Sequence, residues 1–495
     1  MRFFFLLLIL FCASCAQNAN NSNNKVTQSS VNRDSFKEGL KNSILRLTVS
    51  YQTTNHYYPW RYNSPSSRSG QAIVIGKNRV LTLASYLYQA RLVEARLNAE
   101  PSPTVLKIVY VDLDRNIAIL EGELPPEAQV LELPKESQFV VSDKVRYFWK
   151  TDNGRFLEGG ASFDRPESYR QNPSFQSQIW YSCSSPTTNG GFGEPVFHDD
   201  KLVGLTIYGD DSRMTILPNE TINKSLKIFE DPKQKTSMAG FQTVPCTQKY
   251  LRLENNLKPN DGGCYVSRVF DQGCGSKTIQ KGDILLKIAG QSVDAWGRYK
   301  HPKFEDINYT HLIGNYNFDT PLMATIMRNG QMKEITLDHG IIDDTKWLVP
   351  RKRIGEQSKY FIYGGFIFQK FSYSYLKAWG SGWDSKAPEN LLTILGQNRL
   401  KVKTDEKKDI VLLSHTLAHP INRGIQYLGR QVITSVNGEP ISGINELYEI
   451  FSRNEDKLTF TLSPGDIPVI VSPKALSKTN KEIQQMYNIP KMKNL

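Results

Sequence analysis

Between residues 40 and 229 the apolar positions come in short runs, at 43–49, 71–75, 80–83, 105–111, 117–120, 144–149 and 202–207. Some alternate with polar residues and some are continuous, and Gly, Pro, Asn and Asp separate them. Strand side chains alternate faces, so alternation marks a half-buried strand and a continuous run marks one buried on both faces. Many such runs with turn residues between them predict an all-β barrel or sandwich. Residues 87–99 break the pattern and read as irregular or helical. Residues 231–242 are polar and mixed, and read as a linker. Beyond them, 250–255 opens as a strand, 284–288 is an apolar strand between Gly282 and Gly290, and 322–327 ends at the turn Asn329-Gly330. Two glycines at those places permit tight turns. The pattern recurs at 360–368 and 429–441, and 444–451 reads as a helix. The last residues, 476–495, are polar and read as a tail.

The N-terminus carries a different signal. Arg2 is followed by apolar residues from Phe3 to Phe11. A spanning helix needs about 20 such residues, so this run is too short. It has the length of a signal-peptide core. Ala13 and Ser14 precede Cys15, as a lipoprotein signal peptidase requires, although Cys12 stands where Leu is usual. Residues 1–15 are therefore a signal peptide, and Cys15 is the expected lipidation site, bearing palmitate. The alternative is an ordinary secretory peptide cut nearby. Residues 16–35 are rich in Asn, Ser and Gln, cannot bury enough surface to order themselves, and form a flexible tether. The expected location is the cell envelope, lipid-anchored to a bacterial membrane, the outer one, and periplasmic or surface-facing.

The 495 residues are 39% hydrophobic and 11% aromatic, enough for about three globular domains. The net charge is +12. Its lysines are scattered, and the densest run, 401–408, also holds Asp405 and Glu406. No stripe of Arg and aromatic residues appears, which excludes nucleic acid as the partner. An anionic membrane or cell surface fits the charge better. Cys183, Cys246, Cys264 and Cys274 remain after export, with spacing unlike a zinc site. Cys264 and Cys274 either pair as a disulfide or stay as buried thiols. No cofactor and no metal is expected.

Three motifs carry a family resemblance. Ser69-Gly70-Gln71-Ala72-Ile73-Val74-Ile75 with Arg79-Val80-Leu81-Thr82 resembles the opening hairpin of HtrA/Deg-type serine proteases. Asp112-Leu113-Asp114-Arg115-Asn116-Ile117-Ala118 resembles the strand that bears the catalytic Asp, and Gly190-Gly191-Phe192-Gly193-Glu194-Pro195 resembles the nucleophile loop. The resemblance implies a mainly β fold: a chymotrypsin-like double β-barrel over 36–235, then two PDZ-like α+β modules over 245–345 and 350–475. The layout is similar to plant-type Deg proteases. In the triad positions stand Ser85 for His, Asn116 for Asp and Phe192 for Ser. Phe192 has no nucleophilic atom, Ser85 takes up no proton near neutral pH, and Asn116 carries no charge to orient an imidazolium. An unorthodox site would draw on His56, His198, Ser182, Ser184 and Ser185, which otherwise read as surface His and loop Ser.

The triad positions therefore predict a degenerate member that is not an enzyme, one that binds and scaffolds protein partners. An active HtrA-like serine endopeptidase is the first alternative and a surface adhesin the second. Peptide ligands are expected on the first PDZ-like module by strand addition beside Tyr250, Leu251, Arg252 and Leu253, unless its own chain fills the groove. The resemblance also implies self-association, through the second module.

Overall fold

The computed structural model describes residues 35–137, 140–169, 177–185, 190–351, 355 and 357–495. Its first sheet has seven strands, in the order Thr104–Val105, Ala90–Arg96, Ile44–Tyr51, Ser66–Gly76, Arg79–Leu83, Ile117–Glu121 and Lys107–Asp112. The sheet is curled into a half-barrel. Leu45, Leu47, Val49, Ala72, Val74 and Val80 fill its own core. The alternate residues Ile44, Ile73, Leu81 and Ile117 face the other way and pack on Phe148, Phe197, Leu205 and Leu217 of the second barrel. Both faces are buried, which is why these runs are continuous rather than alternating.

The expectation for residues 87–99 is corrected here. Ala90–Arg96 is a strand, with Arg46 opposite Arg96 and Leu47 opposite Ala95. Only Val93 and Ala95 of it are buried, so its apolar signal is weak.

The second barrel is closed, in the order Gln178–Ser184, Arg213–Pro218, Lys201–Gly209, Pro195–His198, Lys144–Lys150 and Phe156–Tyr169. The helix Asn219–Glu230 follows its last strand. Together the two sheets form the double β-barrel that the family resemblance implies, and two further sheets follow.

The third sheet runs Phe241–Val244, Cys264–Val269, Ile284–Ile288, Leu322–Arg328 and Gln331–Leu337. Its first strand lies where the linker was expected, so the module begins before residue 245. Gly282 has φ +101° in the turn before Ile284–Ile288, a conformation that costs other residues dearly. Buried Asp283 in that turn accepts Arg328 Nε at 2.7 Å and Gln280 N at 2.9 Å. An insert adds the hairpin Arg298–His301 and Glu305–Asn308. It projects onto the second barrel, where Tyr299 and Ile307 enter the core formed by Tyr147, Phe163 and Tyr181.

The last sheet runs Ile467–Val471, Leu458–Ser463, Gln431–Val436, Val411–Thr416, Phe366–Lys370, Tyr360–Tyr363 and Lys493–Asn494. The predicted helix at 444–451 is present as Ile444–Ser452. The tail expected over 476–495 is corrected. Pro473–Met486 is a helix that buries Leu476 and Ile483, and Lys493–Asn494 pairs with Tyr360–Phe361. Its apolar residues are spaced along one helix face, so the segment reads as polar on average. Trp60, from an aromatic insert in the first domain over residues 51–65, packs with Ile362 and Ile367 of this sheet.

The hairpin makes the second barrel and the third sheet share a core. Ile307→Ala is expected to cost about 2–5 kcal/mol, measured by urea unfolding. It should also release the third sheet to limited proteolysis while the last sheet stays protected.

Candidate functional site

The strand Arg79–Leu83 runs into a short 3-10 turn, Ala84–Leu87, that carries Ser85. Asn116 sits beside it with φ +59°. Its Oδ1 accepts the Ser85 N–H at 2.8 Å and its backbone oxygen accepts the Ala84 N–H at 3.1 Å. Asn tolerates this left-handed conformation better than most residues. The fold thus brings Ser85 and Asn116 together, and their link is a backbone hydrogen bond.

Phe192 stands on the loop between the strands Gln178–Ser184 and Pro195–His198. Its side chain is about half exposed. The loop is pinned to the first sheet, because Gln71 N donates to Phe192 O at 2.8 Å and Tyr86 Oη to Gly191 O at 3.0 Å. Gly191 has φ +107°, and a Cβ there would meet Gly209 N at 2.7 Å. Glycine is therefore required at that position.

Glu194 is the residue that sequence reasoning underused. It is buried, and its Oε2 accepts Phe192 N at 2.8 Å and Gly191 N at 3.1 Å. The Thr206 hydroxyl also donates to it. Burial pushes the Glu194 carboxyl up, while the Thr206 hydroxyl and the loop N–H groups draw it back without cancelling the rise. An N–H spent on an internal carboxylate is not aimed at an outside oxyanion. The available signal was a charged residue where the family loop has Gly, immediately before an apolar strand.

The acids near Asn116 are also engaged. Asp112 Oδ2 pairs with Arg115 Nη1 at 2.9 Å and accepts Ser225 Oγ at 2.8 Å. Asp114 Oδ1 accepts Arg351 Nη1 at 2.9 Å, and Arg351 Nε reaches Asp344 Oδ2 at 2.9 Å. Arg351 is buried, so this link fastens the site's edge to the chain entering the last domain.

The other candidates lie apart. His198 Nδ1 is 3.0 Å from Lys144 O, and its Nε2 is 3.4 Å from Asp143 Oδ2. Ser184 Oγ donates to Asp164 at 2.7 Å and Ser185 Oγ to Gly160 O at 3.4 Å. Ser182 is buried in the barrel. His56 is partly buried. It packs against the last domain, with Ser358 Oγ at 3.5 Å and the Tyr375 ring at 5.8 Å, and burial pushes its imidazole down to about 4. Among the described residues no imidazole accompanies a hydroxyl on the loop, and no group of His, Cys, Asp and Glu is arranged for a metal ion.

Residues 250–253 are corrected from strand to helix, within Lys249–Glu254. Arg252 holds the adjoining loop through Cys246 O at 3.1 Å, Lys258 O at 2.7 Å and Asp261 O at 2.8 Å. Tyr250 and Leu253 are exposed, and Leu251 packs against the small cluster around Cys246 and Leu257. A helix offers no ladder to an added strand. The end strand of the third sheet is Phe241–Val244, which pairs with Cys264–Val269 on one side. Cys183, Cys246, Cys264 and Cys274 are separate buried thiols. Burial pushes Cys264 and Cys274 up to about 12. Cys15 lies outside the described residues.

Glu194→Ala would leave loop N–H groups unsatisfied, at about 1–3 kcal/mol each. Glu194→Gln keeps an acceptor and removes the charge. Because the folded carboxyl is raised, its contribution is fully present below the unfolded value and falls as pH climbs toward the folded one. Glu194→Gln should therefore gain stability relative to wild type as pH rises from the ordinary carboxyl range, read as thermal unfolding across pH.

A model of the PDZ domain matches residues 349–494. Protease Do-like 2, chloroplastic, of Arabidopsis thaliana is 23% identical over 469 residues, covering 91% of this chain and 74% of its own. Protease Do-like 4, mitochondrial, of the same plant is 20% identical over 435 residues, 83% of this chain and 76% of its own. The HtrA-type protease AlgW, solved as a variant with a decapeptide, superposes with a TM-score of 0.50 at 12% identity, over 62% of this chain and 97% of its own. The expectation that the chain is not an enzyme is overturned by these likenesses, since relatives spanning nine-tenths of it are named proteases. That expectation rested on three side chains and one catalytic route, whereas the likeness runs along the whole scaffold. The chain has the trypsin-like serine-protease fold of the HtrA/Deg proteases, with a C-terminal PDZ domain.

Proposed function

We propose that the chain is an envelope protein that captures extended polypeptide and cleaves it, as a serine-type endopeptidase of the HtrA kind. The observation that carries this reading is the co-linear match of 91% of the chain to a named protease. Capture would occur by strand addition at Phe241–Val244, an end strand of its sheet. The exposed Val244 and Trp296 give that edge apolar surface for alternate side chains of the added strand.

Cleavage on this reading is constrained by the site. Acyl transfer needs a nucleophile, a base in hydrogen-bond reach and an orienting group. Phe192 has no nucleophilic atom, Ser85 is no base near neutral pH and Asn116 carries no charge, so on this reading the nucleophile is a hydroxyl outside these three positions. The lipid at Cys15 would hold the protein on its membrane through the tether.

Turnover of unfolded casein by the mature protein should be blocked by a fluorophosphonate, with one serine labelled, and should persist in Ser85→Ala. Loss of activity in Ser85→Ala would return that hydroxyl to the chemistry. No label and no turnover, with peptide capture intact, would leave binding as the whole function. Backbone N-methylation of a captured peptide removes ladder bonds of about 0.5–1.5 kcal/mol each. Affinity should then fall by roughly 5–160-fold for two bonds lost, and equal affinity would refute strand addition. Cys15→Ala should shift the protein from detergent to the aqueous phase, and an unmodified Cys15 in the native protein would refute anchoring.

A further inference from the structure

A cavity of about 590 Å³ lies where the aromatic insert of the first domain meets the C-terminal PDZ domain. A second, of about 270 Å³, shares Thr54, His56, Gln89 and Ser374 with it, so the two form one seam. Tyr57, Tyr375 and Trp379 give the larger part an aromatic lining. Its charged lining residues are Lys377 and Arg430, and Lys359 and Lys370 join them in the smaller part. Neither part is lined by Asp or Glu among the described residues.

The surrounding charges leave an excess. Lys370 is paired with Asp409 at 2.6 Å. Asp384 faces Lys377 and offsets part of its charge, while burial works against the Lys377 ammonium. Arg430 donates to the Tyr57 hydroxyl at 3.2 Å, a neutral partner. His56 and His415 supply no negative charge, and burial, with Arg430 adding to it at His415, pushes both imidazoles down. The two cations of the larger part, Lys377 and Arg430, are exposed at its margin, with Lys377 Nζ also 5.0 Å from the centre of the Trp383 ring, and an anion relieves the repulsion between such like charges. Aromatic walls with a few convergent polar groups at a domain boundary are the usual form of a small-ligand site.

We propose that this seam binds an aromatic carboxylate, its ring against Tyr57, Tyr375 and Trp379 and its carboxylate on Lys377 and Arg430. The same chemistry is offered by a free aromatic acid and by a polypeptide that ends in an aromatic residue. A ligand held here touches both domains and fastens them to each other. The site is separate from the capture edge and does not depend on cleavage.

The test is calorimetric titration of the full mature chain with N-acetylphenylalanine and with its neutral amide. The acid should bind at least about tenfold tighter than the amide, since only the acid gains charge-assisted hydrogen bonds. Lys377→Gln should weaken the acid about tenfold and leave the amide unchanged. Arg430→Gln should do the same, and because Arg430 also holds Tyr57, its thermal unfolding is compared with wild type. A decapeptide with a free C-terminal Phe separates the sources. Displacement of N-acetylphenylalanine by that peptide, and not by its amidated form, identifies a chain end as the ligand. Failure of both peptides while the small acid binds identifies a free acid. Equal binding of acid and amide, binding of neither, or undiminished binding of the acid in folded Lys377→Gln would overturn the proposal.

Discussion

A carboxylate buried without a paired cation is held only by the hydrogen bonds it accepts, and at Glu194 these come from the loop that carries Phe192. Loop and carboxylate fix each other. Gly191 and Phe192 turn their N–H groups inward to reach Glu194, and the Phe192 carbonyl is then left to face Gln71 of the first sheet. The contact between the two barrels along this line follows from that orientation. Thr206, from the strand Lys201–Gly209, closes the arrangement by donating its hydroxyl to Glu194 and bonding the backbone of Gly193 and Glu194. Exchange of Glu194 for the family's Gly would therefore alter the conformation of the loop as well as its charge.

Much of the scaffold was legible in the sequence. Hairpin, acid-bearing strand and loop all occupy the places their motifs suggested, because Gly and alternating apolar residues encode backbone geometry locally. Ser85 and Asn116 lie side by side because the strands next to them, Arg79–Leu83 and Ile117–Glu121, are paired. What escaped was set by distant partners. Tyr250 and Leu253 lie in a segment short enough to be strand or helix, and Arg252 within it reaches the carbonyls of Cys246, Lys258 and Asp261 on either side of it. His56 looked like a surface residue because its cover, Ser358 and Tyr375, lies some 300 residues away. The strand Ala90–Arg96 and the helix Pro473–Met486 were hidden by their charged outer faces.

Two inserts that lengthen the chain relative to a minimal barrel and a minimal PDZ module serve as docking elements. The hairpin carrying Tyr299 and Ile307 enters the second barrel, and the segment carrying Trp60 enters the last domain. The Asp114–Arg351 pair is largely buried, so removing one partner would leave a buried charge uncompensated, although desolvation limits what the pair itself adds to stability. The domains are thus joined by shared cores with charged locks at their margins.

The buried thiols have a consequence for how the chain must mature. If the chain is exported, as proposed, it meets oxidant before it is folded, while Cys246, Cys264 and Cys274 lie within 30 residues of one another in the sequence. Any two of them close a loop small enough to form readily. In the folded state each is enclosed, and burial pushes the Cys264 and Cys274 thiols up to about 12, which leaves little thiolate to attack. Native structure and oxidation are therefore competitors in time. In an oxidising compartment, a chain that packs its third sheet quickly would keep these sulfurs reduced by kinetics alone.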